Sequence, residues 1–267
     1  MTDLRGRTAL ITGGCTGIGL GIAKALGAAG SRIALHGLPG EQAAGHACQE
    51  LDKDGAADVE FFAADLRIPD EIGSLMTRVL DWNPIDVLVN NAGVQSTGSL
   101  STMPGSTWDE IIAVNLSATF HTMKAAMPAM AERGYGRVVN IASVHGLVAS
   151  VNKAPYTAAK FGLVGLSKVA ALEYAAAGNR ESGGVTVNCI CPGWTETALV
   201  EPQITARANE LGVDRSQAIA DMLAEKQPSR RTATTAEIGE LALWLCSPVA
   251  HNITGATIPM DGGWVSQ

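Results

Sequence analysis

Short apolar runs alternate along the chain with longer, Ala-rich stretches of helical periodicity. The apolar runs are mostly continuous, which is typical of parallel strands that are covered on both faces. Strands that alternate with helices in this way indicate a series of βαβ units. The predicted strands are Thr8 to Thr12, Arg32 to His36, Val59 to Ala63, Val87 to Asn90, Arg137 to Ala142, Thr186 to Ile190 and Ala256 to Pro259.

The stretches between these strands predict the helices of the same fold. Neither a Pro/Ser-rich linker nor an internal repeat divides the chain. A doubly wound parallel sheet of the Rossmann type therefore accounts for nearly all of it, as a single α/β domain over residues 1–267. The predicted helices are Ile18 to Ala29, Glu41 to Lys53, Asp70 to Trp82, Thr107 to Glu132, Tyr156 to Ala177 and Ala236 to Cys246.

The segment from Glu196 to Ser229 departs from this rhythm. It is helix-prone and polar, and it lies between the sixth strand and the last helix. We interpret it as a helical lid over a substrate site, and a solvated surface face is the alternative that its polar residues allow. The shorter polar segment Gly178 to Gly184 is interpreted as a plain surface loop.

Composition and charge exclude several classes of protein. Apolar residues make up 46% of the chain, which favours a compact globular protein. The net charge is −7 and the chain has no basic run, which argues against a nucleic-acid partner. The start of the chain has no apolar signal-peptide region, and no apolar stretch approaches the ~20 residues of a membrane span. The five cysteines form no Cys-x-x-Cys pair, so we expect no metal site and a reduced, cytoplasmic protein.

A glycine-rich turn follows the first strand. Glycines stand at positions 13, 17 and 19, where the chain must turn into a helix. Glycine allows a close backbone approach, and the free N–H groups of a helix start attract a pyrophosphate. This position after a strand and before a helix predicts a dinucleotide site.

The ends of the second and third strands bear on the choice of dinucleotide. The second strand ends in His36 and Gly37, with neither an acid to hold a ribose hydroxyl nor an Arg or Lys to receive a 2′-phosphate. NAD is favoured over NADP on this basis, and His36 is interpreted as a polar strand-end residue. Asp65, after the third strand, is placed either to meet the adenine or to cap a turn.

Candidate catalytic residues follow the fifth strand. Ser143 ends that strand, and Tyr156 and Lys160 are four residues apart in the next helix, on one face. An ammonium beside a phenol stabilises the phenolate, which makes this pair a candidate acid/base. Ser143 can hydrogen-bond the reacting oxygen. A purely structural role for Tyr156 and Lys160 is the alternative when this spacing is considered alone.

The motifs Thr-Gly-Gly-x-x-x-Gly-Ile-Gly, Asn-Asn-Ala-Gly, Ser followed by Tyr-x-x-x-Lys, and Pro-Gly together resemble the short-chain dehydrogenase/reductase family. The resemblance spans the chain and implies a nicotinamide-dependent oxidoreductase. It implies a catalytic tetrad of Asn115, Ser143, Tyr156 and Lys160, with Asn115 holding a bend in its helix and a water that relays protons. The implied cofactor contacts are Gly13, Thr16, Gly17, Ile18, Gly19, Asp65, Leu66, Asn91, Ala92, Gly93, Val114, Tyr156, Lys160, Pro192, Gly193, Trp194, Thr195, Thr197 and Leu199.

Further motifs resemble the members of this family that act on a small hydroxy acid. They are Asn91 to Gln95, Ser143 to Ser150 with Asn152-Lys153, Cys191 to Trp194, Gln203-Ile204, Glu225 to Ser229 and Asp261 to Trp264. The Lys153 ammonium is expected to pair with the substrate carboxylate. The implied substrate contacts are Gln95, Ser143, His145, Lys153, Tyr156, Trp194, Gln203 and Trp264.

The sequence leaves alternatives and departs from the family pattern in places. A reductase of another ketone, and a nucleotide sensor without catalysis, are the competing functions. Cys15-Thr16 replaces the usual small hydroxyl residues of the turn, and Glu196-Thr197-Ala198 lacks a proline common there. Cys15 is expected to be oxidation-sensitive if it is exposed.

The resemblance implies a homotetramer with the helices Thr107 to Glu132 and Tyr156 to Ala177 at an interface, although core-facing helices have the same apolar pattern.

Overall fold

The computed structural model describes residues 2–197 and 200–266, and its centre is a seven-stranded sheet. The strands lie in the order β3-β2-β1-β4-β5-β6-β7 and all pair in parallel. This confirms the predicted doubly wound sheet. The strands are β1 (Thr8–Ile11), β2 (Arg32–Gly37), β3 (Asp58–Ala63), β4 (Val87–Asn90), β5 (Tyr135–Ile141), β6 (Gly184–Pro192) and β7 (Thr257–Met260).

Helices cover both faces of the sheet. One apolar cluster joins the sheet to α1, α2 and α9, and a second joins it to α3, α5 and α6. The central strands are buried throughout, as their continuous apolar sequences predicted. The helices are α1 (Gly17–Ala28), α2 (Ala43–Lys53), α3 (Pro69–Trp82), α4 (Gly105–Ile112), α5 (Ala118–Glu132), α6 (Ala154–Tyr174), α7 (Glu201–Leu211), α8 (Arg215–Leu223) and α9 (Thr235–Leu245).

The long helix predicted from Thr107 to Glu132 is interrupted. A π-helical turn, Ala113–Ser117, separates α4 from α5. Asn115 lies in this turn, and its side chain bonds the backbone after β4. The bend that the family resemblance implies for Asn115 is therefore present. Apolar periodicity gives no sign of it, because the contact joins residues that are far apart in sequence.

The segment from Glu196 to Ser229 forms two helices, α7 and α8, outside the sheet. They pack on a small apolar cluster of their own around Ile204, Ile219 and Leu223. Their outer faces carry ion pairs, including Arg215 with Glu201 at 2.9 Å. The segment thus has a polar outer face and a helical body, and its role as a lid stays a prediction.

Two further observations concern the rest of the chain. The predicted surface loop at residues 178–184 is a turn that leads directly into β6. Within residues 2–197 and 200–266, none of the helices is both long enough and apolar enough to span a bilayer.

Candidate active site

The glycine-rich turn connects β1 to α1 and needs its glycines. Gly13 and Gly17 have positive φ angles of 60° and 54°, which favour glycine. A Cβ at Gly19 would lie 2.2 Å from the Gly13 carbonyl oxygen. The turn is therefore a backbone cradle. Thr16 is exposed and makes no side-chain capping bond to the first amides of α1, which leaves the helix start suited to a pyrophosphate.

The residues after β4 fix this turn from the side. The Asn91 amide donates to the carbonyls of Thr12 at 3.0 Å and Gly13 at 2.9 Å. The Thr12 hydroxyl accepts from the backbone of Asn91 and Ala92. The structure thus brings the segment Asn91 to Gly93, predicted to line the cofactor, directly beside the glycine-rich turn.

His36 is bound to the glycine-rich turn from the other side. The Gly13 N–H donates to its Nδ1 at 3.2 Å, and Nε2 lies 3.1 Å from the Ala64 carbonyl. A carbonyl only accepts, so the ring is the neutral tautomer with its proton on Nε2. Burial lowers the pKa of His36 from 6.5 to about 4. The buried ring links the glycine-rich turn to the backbone after β3, in agreement with its interpretation as a strand-end residue.

The lowered pKa of His36 predicts that part of the protein's stability is lost in acid. Because the folded pKa of His36 is below its unfolded value, its contribution is present above pH 6.5 and is lost as the pH falls towards 4. The difference corresponds to about 3 kcal/mol. Between pH 7 and pH 4, the free energy of unfolding of the unsubstituted chain should therefore fall by about 3 kcal/mol more than that of His36→Gln, which lacks this titrating ring.

Urea unfolding at several pH values measures this difference. The matched control is His46→Gln, since His46 is exposed on α2, and it should lose stability as the unsubstituted chain does. An equal pH dependence in His36→Gln and His46→Gln contradicts the role assigned to the His36 ring.

Asp65 lies at the end of β3, where its carboxylate is held by a neighbour. It pairs with Arg67 at 2.5 Å and accepts the Arg67 backbone N–H at 2.9 Å. The side-chain hydrogen bond of Arg67 lowers the pKa of Asp65. The geometry favours the turn-capping alternative for the carboxylate, and the adjacent Leu66 is buried.

Ser143, Tyr156 and Lys160 meet beyond the carboxyl end of β5. The Lys160 ammonium lies 5.7 Å from the centre of the Tyr156 ring and donates to the Ile141 carbonyl at 2.7 Å. Burial lowers the pKa of Lys160 to about 8, so it remains largely charged at pH 7. Burial raises the pKa of the Tyr156 hydroxyl, and a hydrogen bond with Ser143 opposes that rise. A proton donor, a cation and a hydroxyl thus converge on one point.

Asn115 lies in the π-helical turn, which packs against α6, and its side chain is bonded to the backbone. Its Nδ2 donates to the Val94 carbonyl and its Oδ1 accepts the Val94 N–H, each at 2.8 Å. The side chain therefore fastens the π-helical turn to the loop after β4. Val114, in the same turn, is half-buried beside it.

His145 lies beside Tyr156, and Lys153 lies beside His145. The His145 ring is edge-on to Tyr156 at 6.1 Å and to Trp264 at 5.5 Å between ring centres. The Lys153 Nζ lies 3.4 Å from His145 Nε2, and His145 Nδ1 lies 3.3 Å from the Val148 carbonyl. Nδ1 therefore carries the proton and Nε2 accepts from Lys153. Burial lowers the pKa of His145, which keeps the ring neutral.

The segment after β6 returns over the glycine-rich turn. Thr197 is close to Gly17, since a Cβ at Gly17 would lie 3.6 Å from the Thr197 methyl group. Gly193 bonds to the end of β7, and Thr195 is buried against Ala233. The structure thus brings residues 192–197 to the cofactor side of the site. Leu199, also predicted to contact the cofactor, lies outside the described residues.

Three predicted substrate contacts occupy less central positions. Gln95 is exposed in the loop after β4, and Gln203 is exposed in the first turn of α7. The Trp194 ring packs with the apolar cluster of α7 and α8. Trp264, in contrast, lies against His145.

The sequence motifs gave no role to several residues around the site. Gln227 is buried, with its carbonyl oxygen 3.4 Å from the Trp194 N–H, and its amide donates to Arg231. Lys226 bonds Ser150 and approaches Trp264. Glu41 passes beside Gly37 at the end of β2. Lys226 and Gln227 belong to a stretch whose resemblance was apparent, but only their spatial placement distinguishes them.

Cys15 is not a surface thiol. It is buried, and burial raises its pKa to about 11. Because the reactive form of cysteine is the exposed thiolate, the condition for oxidation sensitivity is not met. Cys189 and Cys191 are buried on one face of β6, as alternation predicted.

A family model for short chain dehydrogenases matches residues 7–208. The chain belongs to this family. It is 46% identical to D-beta-hydroxybutyrate dehydrogenase of Cupriavidus necator, over 99% of this chain and 100% of that protein. It is 44% identical to the protein of the same name from Rhizobium meliloti, over 98% of this chain and 99% of that protein.

Solved structures of the family share the fold. A 3-oxoacyl (acyl-carrier-protein) reductase from Agrobacterium tumefaciens, with NADP bound, superposes with a TM-score of 0.88 at 29% identity, over 98% of this chain and 95% of that chain. As a short-chain dehydrogenase, the chain is an oxidoreductase that uses a nicotinamide cofactor. The cradle around Gly19, which a Cβ would fill, fits a dinucleotide pyrophosphate.

Proposed function

We propose that this short-chain dehydrogenase interconverts (R)-3-hydroxybutyrate and acetoacetate with NAD. The observation that carries the proposal is the Lys153 ammonium, 3.4 Å from a His145 ring that adjoins the acid/base Tyr156. A cation held next to the reacting centre suits a substrate whose carboxylate is close to its hydroxyl group. The names of the two relatives at 44–46% identity support the same substrate.

The reacting hydroxyl lies between Ser143 and Tyr156 in this account. The Tyr156 phenolate accepts the hydroxyl proton, and Ser143 hydrogen-bonds the oxygen. The buried Lys160 ammonium, 5.7 Å from the centre of the Tyr156 ring, favours the phenolate and would bind the cofactor ribose. The hydrogen bond with Ser143 opposes the rise in the Tyr156 pKa that burial causes. A dinucleotide held at the turn of Gly13, Gly17 and Gly19 would supply the acceptor for the hydride of the alcohol carbon. Asn115 holds the π-helical turn through its two bonds to Val94, and a water held at this turn would link Lys160 to solvent as the proton relay.

The substrate carboxylate is bound on the Lys153 side of the site. The neutral His145 ring orients the Lys153 ammonium by accepting one of its hydrogen bonds, and the remaining N–H groups are directed at the acid. Trp264 and Trp194 restrict the volume, and Gln95 and Gln203 supply polar contacts from the loop after β4 and from α7. The segment Glu196 to Ser229 serves as the lid.

Loss of the Lys153 charge should affect the acid more than a neutral substrate. We expect Lys153→Met to raise KM for (R)-3-hydroxybutyrate by ten- to a hundredfold, since a hydrogen bond to a charged group contributes about 1.5–3 kcal/mol. KM for the ethyl ester, which has no carboxylate, should change by less than about threefold. Steady-state kinetics with both substrates measures the difference. An equal rise in KM for the acid and for the ester contradicts a contact between Lys153 and the carboxylate.

The preference for NAD rests on the charge at the end of β2. Glu41 lies beside Gly37, where a Cβ would be 3.2 Å from the Glu41 Cγ. The adenosine ribose of a bound dinucleotide lies at this strand end. A carboxylate there repels a 2′-phosphate, and this supports NAD even though His36 is no ribose ligand.

Neutralising Glu41 should weaken the discrimination against NADP. We expect Glu41→Gln to raise the ratio of kcat/KM for NADP⁺ to that for NAD⁺ by about tenfold, which is about 1.4 kcal/mol of relieved repulsion. The control is Glu132→Gln, at the end of α5, which should leave the ratio unchanged. An unchanged ratio in Glu41→Gln contradicts its role.

The proposal includes a homotetramer in the cytoplasm. Large apolar side chains are exposed on the helices predicted to form an interface, among them Trp108, Phe120 and Phe161. Exposed apolar side chains on neighbouring helices are typical of a surface that pairs with another subunit. All five cysteines are free, which is consistent with a reducing compartment. Sedimentation analysis tests the tetramer.

A further inference from the structure

Gln227 is a buried amide side chain near the end of the segment Glu196 to Ser229. Only 1% of its surface is exposed. Its Oε1 accepts the backbone N–H of Trp194 at 3.4 Å, and its Nε2 donates to the Arg231 carbonyl. One side chain thus bonds the chain after β6 to the chain before α9, and the amide uses both its oxygen and its nitrogen.

Two glycines leave the space that this side chain fills. A Cβ at Gly193, directly after β6, would lie 2.8 Å from the Gln227 Oε1. A Cβ at Gly262, after β7, would lie 2.8 Å from the Gln227 Cγ and 3.0 Å from its Nε2. Because neither position carries a side chain, two backbone segments can approach Gln227 closely.

The two segments that meet at Gln227 border different parts of the site. The cofactor segment, residues 192–197, returns over the glycine-rich turn. The C-terminal segment, residues 261–264, carries Trp264, which packs against the His145 ring beside the acid/base. Gln227 therefore contacts one segment on the cofactor side and one segment that reaches the proposed substrate pocket.

The separation of these two segments matters for hydride transfer. The reacting atoms must approach to about 3–3.5 Å, and a displacement of about 1 Å can cost about a hundredfold in rate. A buried amide that is bonded at both ends resists such a displacement, since breaking its bonds leaves buried polar groups unpaired.

We propose that Gln227 is a positioning residue that fixes the cofactor segment relative to the Trp264 wall of the substrate pocket. It acts through the backbone of Gly193, Trp194 and Gly262, and it serves the alignment of the two carbons between which the hydride moves. The inference rests on the proposed function for the substrate that Trp264 borders. It assigns the end of the lid segment to the rate of the chemical step.

Gln227→Met keeps the length of the side chain and removes both hydrogen bonds. We expect it to slow NADH formation in the first turnover, at saturating NAD⁺ and (R)-3-hydroxybutyrate, by about ten- to a hundredfold. Deuterium on the reacting carbon should slow this step further, which identifies it as hydride transfer. The affinity for NAD⁺ should be retained, because the glycine-rich turn is not altered. Stopped-flow absorbance and isothermal titration measure the two effects.

Gln227→Glu is the conservative variant, and it is read out by pH. A neutral carboxylic acid accepts and donates as the amide does, whereas a carboxylate only accepts. We expect the first-turnover rate to be close to that of the unsubstituted enzyme at a pH where the buried acid is neutral. Relative to the unsubstituted enzyme at the same pH, the rate should fall as the acid ionises.

Hydrogen exchange in the enzyme without cofactor gives a readout that is independent of turnover. The amides of the cofactor segment should exchange about tenfold faster in Gln227→Met, since the Trp194 N–H loses its acceptor. The matched control is Asn188→Leu. Asn188 is also a buried amide bonded to two backbone groups, the Ile253 carbonyl at 2.7 Å and the Ala256 N–H at 3.1 Å. Its loss should destabilise the protein and leave both the first-turnover rate and exchange in the cofactor segment unchanged.

The outcomes separate this inference from the proposed function. If Gln227→Met loses stability as Asn188→Leu does, but transfers hydride at the unsubstituted rate, the positioning role of Gln227 is overturned. A loss of NAD⁺ affinity equal to the loss of rate also overturns it, since that result indicates a damaged cofactor site. If the unsubstituted enzyme does not oxidise (R)-3-hydroxybutyrate, the proposed function fails. Exchange in the cofactor segment then still tests the inference, and unchanged exchange in Gln227→Met overturns it.

Discussion

Tyr156→Phe should lower kcat by about a thousandfold and leave NAD⁺ affinity within about threefold, because positioned acid/base groups contribute factors of about 10² to 10⁴. The phenyl ring retains the packing against His145 and removes the only atom that accepts the proton. Tyr156 accepts the proton only as the phenolate, so alcohol oxidation by the unsubstituted enzyme should become faster as the pH rises towards the Tyr156 pKa, which burial raises. The residual rate of Tyr156→Phe should not rise with pH in this way. Stopped-flow turnover and fluorescence titration with NAD⁺ measure these effects.

A tyrosine in the same helix provides the control for this substitution. Tyr174→Phe, at the end of α6, removes a hydroxyl far from the site and should leave turnover unchanged. Substantial turnover in Tyr156→Phe, with its pH dependence intact, contradicts the assignment of Tyr156 as the acid/base. A loss of NAD⁺ binding equal to the loss of turnover contradicts it as well, since that result indicates a damaged site.

Gly19→Ala should weaken NAD⁺ binding by at least a hundredfold and also destabilise the fold. The added Cβ would lie 2.2 Å from the Gly13 carbonyl oxygen and 2.5 Å from the Asn91 amide nitrogen, so the turn that cradles the pyrophosphate must move. Overpacking of this kind costs about 1–3 kcal/mol of stability. Isothermal titration with NAD⁺ and urea unfolding measure the two effects.

Gly45→Ala is the matched control for this prediction. Gly45 lies in α2, and nothing is within 4 Å of a Cβ placed there. Alanine in an open helical position should stabilise the protein by about 1 kcal/mol or less and leave NAD⁺ binding unchanged. Unaltered NAD⁺ binding in Gly19→Ala contradicts the role of the glycine-rich turn.

Local sequence determines the sheet and its helices in this protein. Each of the seven predicted strands is present with ends shifted by at most two residues, because continuous apolar runs have few alternatives to a buried parallel strand. The glycine-rich turn and the four-residue spacing of Tyr156 and Lys160 are likewise local, so motif comparison located them. Positive φ angles at Gly13 and Gly17 account for that pattern.

Contacts between distant residues could not be predicted in the same way. The π-helical turn depends on Asn115 meeting Val94, and the neutral state of His36 depends on Gly13 and Ala64 closing around its ring. The commitment of Asp65 to Arg67 resolves an ambiguity that spacing left open. The hydrogen bond from Lys226 to Ser150 likewise forms only because the chain after α8 returns to the site. Each of these depends on tertiary packing, which periodicity does not encode.

The central claim is the oxidation of a small (R)-hydroxy acid by NAD⁺. Initial rates of NAD⁺ reduction with (R)- and (S)-3-hydroxybutyrate, each repeated with NADP⁺, test it most directly. The account predicts rapid reduction with the R acid and NAD⁺, and a rate at least about tenfold lower when either the stereochemistry or the cofactor is changed. Failure to oxidise the R acid by an enzyme that binds NAD⁺ would contradict it and would require a different substrate for this site.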